Sequence, residues 1–144
     1  MKKFWKKIFI FFSITIIVGL CISSLDFVFA QDDVVVVLHK SRTTLAKSEI
    51  QRIFKGIVST FSDGERIQVM LNRDRSVVEK FCRKYLNMSA DRLDQLWVKK
   101  SIRDGSQVPR KLPSNVIMTM IANSKVFIGI VKRSEVNSNV KINE

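Results

Sequence analysis

The chain has 144 residues, a formal net charge of +12, 46 % apolar and 26 % charged residues, which describes one globular domain rather than a disordered chain. Five Gly and two Pro exclude a collagenous or low-complexity sequence, and two Cys with one His exclude a disulfide scaffold, a multi-Cys zinc module and a His-rich metal site.

Residues 1–30 read as an address. Lys2, Lys3, Lys6 and Lys7 precede an apolar run from Ile8 to Ile22. Val28-Phe29-Ala30 then places small residues at the −3 and −1 positions before Gln31. A basic start, a short apolar core and a small-residue exit predict a secretory signal peptide cleaved after Ala30. The run falls short of the roughly 20 residues of a membrane-spanning helix. An uncleaved anchor facing the periplasm is the alternative. A lipoprotein reading at Cys21 would need a small residue where Leu20 stands. Cleavage removes four Lys and Asp26 and leaves a net charge of +9. It also leaves Cys82 without a partner, and in an oxidising compartment a lone thiol is safest buried.

Val34–Leu38 is a continuous β-branched run, predicting a strand covered on both faces, as in a parallel sheet. His39–Thr44 is its polar exit. Ile50, Ile53, Phe54 and Ile57 recur at helical spacing, and Gly56 can supply a left-handed C-terminal cap. Phe61-Ser62-Asp63-Gly64 reads as a turn and 67–71 as a second strand. Asn72–Ser76 leads into a second helix carrying Val77, Val78, Phe81, Cys82, Tyr85 and Leu86 on one face. Ser89 is an N-cap candidate for a third helix that buries Leu93, Leu96 and Trp97, with Asp91 in its first turn. A loop with Gly105 and Pro109 follows. A fourth helix begins near Pro113-Ser114, carries Ile117, Met118, Met120 and Ile121, and ends at Asn123. Residues 126–131 form a last buried strand, and the polar tail 132–144 is expected to be loose. The order predicts an α/β domain over 31–131, with a small, largely parallel sheet flanked by helices.

Cys82 and His39 are the only candidates for a thiol–imidazole pair, but Cys82 falls on the apolar stripe of its helix, which predicts a buried structural thiol. No His, Cys, Asp or Glu cluster has metal-ligand spacing, and no Gly-rich phosphate loop is present. Asp91 and Asp94 lie one helical turn apart among Arg92, Lys99 and Lys100, which reads as a solvated charged face. Arg73-Asp74-Arg75-Ser76 is the informative junction. A helix N-terminus offers free N–H groups and the positive end of its dipole, Arg adds forked donors and Ser a hydroxyl. In open α/β sheets ligands sit outside the carboxyl ends of the strands, where this junction lies. The alternative is that Asp74 or Ser76 only caps the helix. Residues 73–111 carry eleven Lys/Arg and five Asp/Glu, a surface suited to an acidic partner, anionic lipid or nucleic acid. An exported protein meets little nucleic acid, so none is expected.

Several stretches taken in order resemble a known family. Ile53-Phe54-Lys55-Gly56 and Phe61-Ser62-Asp63-Gly64 resemble the "IF-x-G … W-S-D-G" signature of phosphate-binding proteins of ABC importers and their short single-domain relatives. Strand 67–71, Arg73, Phe81 and Leu86 resemble the following "I-x-V-x-x-R … S … F … L" stretch. Met88-Ser89 with Leu96-Trp97 resembles the "M-S … L … W" helix, Gly105 and Pro109 the loop after it, and 127–131 the closing "A-I-G-Y-V" strand. The resemblance runs from Val34 to Val131. It implies one lobe, the second, of a type II periplasmic binding protein, and no enzymatic activity, cofactor or metal. By the same resemblance Arg73, Arg75, Ser76 and Val77 stand at the phosphate or oxyanion site. Here the sequence departs: counted back from Phe81, Ser76 sits one residue late and Arg75 stands where Ser is expected, Gly and Thr are replaced by Val, Phe61 replaces Trp and Ile130 replaces Tyr. The implied function is weak binding of phosphate or another small oxyanion in the periplasm, as an accessory or sensory module. A homodimer or protein partner would supply the missing lobe, and the membrane would be met only through the signal peptide. The alternative is a protein-interaction module that keeps the fold without the ligand.

Overall fold

The computed structural model describes residues 33–144; the predicted signal peptide lies outside them. Strand β1 (Val34–Leu38) is buried along its whole length. Helix α1 (Lys47–Phe54) buries Ile50, Ile53 and Phe54 and ends in a left-handed Gly56. Ile57, expected on the same face, lies beyond the helix and is exposed. Strand β2 (Gln68–Asn72) runs into helix α2 (Arg75–Phe81), which continues as a π-helical turn, Cys82–Leu86. Helix α3 (Ala90–Asp104) is N-capped by Ser89 and closed by a left-handed Gly105. Strand β3 (Arg110–Leu112), helix α4 (Ser114–Asn123), strand β4 (Phe127–Lys132) and a short strand β5 (Lys141–Asn143) complete the domain.

The sheet order is β3-β2-β4-β1-β5. Strand β2 pairs in parallel with β3 and β4, whereas β1 pairs antiparallel with both β4 and β5. The α/β class and the flanked sheet agree with the expectation. The sheet itself is mixed rather than largely parallel. A continuous apolar run reports cover on both faces and carries no information about strand direction.

That cover is visible residue by residue. Val34, Val36 and Leu38 pack with α1, α2 and α3 on one face, around Phe54, Phe81 and Leu93. Val35 and Val37 pack with Ile117, Met118 and Ile121 of α4 on the other. Helix α4 lies close on the sheet: a Cβ at Gly129 would come 2.5 Å from Ile117 Cγ2.

Two polar clamps hold the rim. Arg42 donates to Asp63 at 2.6 Å, Glu65 at 2.7 Å and the Lys125 carbonyl at 2.8 Å, with its guanidinium 3.8 Å from the Phe61 ring centre. Buried Asn143 accepts from Leu45 N at 2.6 Å and donates to Leu45 O at 2.9 Å. The tail expected to be loose is therefore structured at its end: β5 forms an edge strand on β1, Val140 is buried in the core, and the described residues form one unit. The structured domain accordingly extends past 131.

Candidate functional site

Strands β2, β3 and β4 point the same way, so their carboxyl ends lie at one end of the sheet, and the starts of α2 and α4 follow there. A cavity of about 690 Å³ opens at this place, lined by Asn72, Arg73, Asp74, Ser114, Asn115 and Glu135 among others. Asn72 organises it. Its side chain is buried, donates to Ser114 Oγ at 2.8 Å and to the Ile130 carbonyl at 3.3 Å, and accepts from Asp74 N at 2.9 Å. One amide thereby fixes the starts of two helices against β4.

The two helix starts differ. Helix α2 supplies its own anion: Asp74 accepts from Ser76 N at 2.9 Å and meets Lys132 Nζ at 3.2 Å. The Ser76 side chain and N–H, with Lys132, hold the Asp74 carboxyl below its usual range. Helix α4 follows Pro113, which has no side-chain group to cap it. The Val116 and Ile117 N–H groups go to the Pro113 carbonyl at 3.1 Å, which leaves those of Ser114 and Asn115 ahead of the first such bond. Ser114 Oγ already accepts from Asn72, so its own hydrogen is left to donate outward.

The four residues singled out at this junction go to four different places. Arg73 lines the cavity and is exposed, with its N–H bonded to the Leu112 carbonyl at 2.8 Å. Arg75 turns to α3, where it pairs with Asp91 and lies 3.9 Å from Asp94; the Asp91 carboxylate raises its pKa. Ser76 is exposed and gives its N–H to Asp74. The Val77 side chain is buried in the core, and its N–H goes to the Asp74 carbonyl at 3.1 Å. Of the four, only Arg73 reaches the cavity. Asn72, Ser114 and Asn115 were not singled out from the sequence. The Pro-Ser start of α4 was the available signal, because a helix start after a residue without a capping side chain leaves donors open.

The remaining candidates resolve structurally. Cys82 is buried and apolar surroundings push its thiol up to about 12. His39 Nδ1 shares a 2.7 Å hydrogen bond with Ser41 Oγ. Among the described residues no His, Cys, Asp and Glu group could hold a metal, and no helix is long and apolar enough to cross a membrane.

No family model and no curated protein matches the chain. Solved structures do. An ABC-type phosphate transport receptor from Vibrio cholerae superposes with a TM-score of 0.52 at 17 % identity, over 78 % of this chain and 46 % of that one. A putative phosphate ABC transporter substrate-binding protein from Clostridium perfringens, solved with bound phosphate, superposes with a TM-score of 0.58 at 17 % identity, over 78 % of this chain and 44 % of that one. The chain thus spans a little under half the length of either protein. With its five-stranded sheet, three helices on one face and one on the other, the chain has the fold of one lobe of a phosphate-binding protein.

Proposed function

We propose that this protein is a non-enzymatic periplasmic module that binds phosphate or a similar oxyanion weakly, in an accessory or sensory role, at the cavity between Arg73 and the start of α4. The observation that carries this reading is the pairing, in one cavity at the carboxyl ends of β2 and β3, of an exposed guanidinium with a helix start that no side chain caps. Such donors suit a tetrahedral anion. The start of α2 is the poorer place, because the Asp74 carboxylate already occupies the Ser76 N–H and brings a negative charge there. Asp74 and Glu135 both line the cavity and oppose a second negative charge, which keeps binding weak. A wet, one-sided site weakens it further. The resemblance of the fold to proteins named for phosphate supports the choice of ligand.

Thermal unfolding in phosphate, sulfate and chloride at matched ionic strength tests the reading. At a hundred times its dissociation constant a ligand adds about 2.7 kcal/mol, enough to move the midpoint by several degrees. A phosphate-dependent rise that Arg73→Ala and Ser114→Ala each abolish is expected. Asp74→Asn keeps a capping side chain and removes a negative charge, so it should tighten phosphate binding. Equal midpoints in all three salts would reject anion binding.

A second reading, a protein-interaction module that keeps the fold without the ligand, is favoured by the two carboxylate contacts that replace an anion at α2: Asp74 on Ser76 N and Asp91 on Arg75. It predicts that Arg73→Ala and Asp74→Asn leave the salt series unchanged.

A further inference from the structure

A second part of the surface shares no residue with the Arg73 cavity. A groove of about 1020 Å³ runs between the end of α1 and α3, lined by Lys55, Arg92, Lys99, Lys100 and Arg103 with Leu96 and Ile57 among them. Its only carboxylate is Asp91, which is tied to Arg75. Lys100 and Arg103 share Asp104, but Lys55, Arg92 and Lys99 make no ion pair among the described residues. Ile57 is 64 % exposed and stands where this groove meets a second cavity of about 560 Å³, which adds Arg66 and Arg110 and no carboxylate. The wall between them is rigid. Trp97 Nε1 donates to the Phe54 carbonyl at 2.9 Å, and a Cβ at Gly56 would lie 2.9 Å from both Trp97 Cη2 and Lys100 Cε.

We infer that this cationic groove docks an acidic segment of another protein in which apolar residues punctuate the carboxylates, the apolar ones seating against Ile57 and Leu96. The charge is complementary only to an anion-rich partner. The shape selects a chain: the cations line concave walls, whereas a bilayer needs them on a flat or protruding face. Nucleic acid is disfavoured, because among the described residues no exposed large apolar side chain is an aromatic that could stack on bases. The inference does not depend on anion binding at Arg73, so either can fail alone.

Fluorescence anisotropy on the full chain tests it, with a labelled peptide of about fifteen residues repeating Glu-Glu-Leu as the probe. Lys55→Glu with Lys99→Glu should weaken binding by about tenfold or more, and Lys40→Glu with Lys80→Glu, the same change of net charge elsewhere, should weaken it far less. Ile57→Ser should weaken it about threefold with the salt dependence unchanged. Circular dichroism checks that each variant is folded. Equal weakening by the two charge pairs, or an Ile57→Ser variant that binds like the parent, would overturn the groove. Preferential binding to phosphatidylcholine vesicles containing phosphatidylglycerol, over the peptide, would overturn it in favour of a membrane surface. Failure of the peptide to bind at low salt would overturn it outright.

Discussion

Arg42 satisfies three acceptors at once and lies over an aromatic ring, so its loss leaves Asp63 and Glu65 with Lys125, 2.7 Å from Glu65 and 3.9 Å from Asp63, as their remaining cation. Arg42→Ala should cost about 2 kcal/mol, read as a lower urea midpoint, and Arg42→Lys should recover only part of it because one ammonium cannot span the three acceptors. The clamp explains the Asp of the Phe61–Gly64 turn. Trp97 and Gly56 explain the other motifs: the indole bonds to the Phe54 carbonyl and leaves no room for a side chain at position 56. The residues that carry the family resemblance therefore hold the fold. Of them only Arg73 lines the cavity, so a resemblance resting mostly on the others speaks to architecture more than to ligand. Arg73 and Arg75 illustrate the limit of reading a site from sequence. They are two positions apart and chemically alike, and what separates them is Asp91, sixteen positions beyond Arg75 on α3. Cys82 was legible, because its place on the apolar stripe predicted burial. Native protein should resist iodoacetamide at neutral pH and react after unfolding.

At the level of elements, the long apolar ones were legible: β1, β2, β4 and all four helices fall where their periodicity puts them, within a residue or two at the ends. The two short edge strands were not. Arg110 and Lys111 of the first are exposed, Lys141 and Ile142 of the second are half-buried, and a three-residue edge strand with a charge in it reads as a loop. The signal for β5 lies in partners about a hundred residues away, at Val36–Leu38 and Leu45. Asn143→Ala should cost about 2 kcal/mol, because it leaves the Leu45 N–H and carbonyl without their partners. Removing residues 137–144 should do more. It would bare one edge of a five-residue Val/Leu strand with no charge, so the truncated protein should self-associate, seen as rising light scattering with concentration. Gly129→Ala belongs to this scale as well. Its methyl group would drive α4 away from β4, so a lower melting midpoint is expected, together with altered phosphate response at the cavity that α4 helps to wall.

For the whole molecule, acid is the informative variable. Asp33, Asp63, Asp74, Glu79 and Asp104 are all held below their usual values of 3.8 or 4.5. The leading causes are hydrogen bonds, from Lys84 to Asp33, Glu65 N to Asp63, Ser76 to Asp74, Ala90 N to Glu79 and Lys100 to Asp104. A depressed carboxyl stabilises the fold above its unfolded pKa and loses that contribution as pH falls through the folded one. The melting midpoint should therefore be flat from pH 7 to about 5 and decline below about 4, modestly because water screens these exposed carboxylates. A midpoint unchanged down to pH 2 would show that these bonds do not persist in solution. The sheet order has a further consequence in time. Strand β1 is the first to leave the ribosome, yet its two neighbours are β4 and β5, near the other end of the sequence. At about 5–20 residues per second, β1 waits on the order of 5–20 s for its first partner. Through that interval the most aggregation-prone stretch of the domain is a bare, uncharged ribbon, so the emerging chain is a natural client for a holding chaperone.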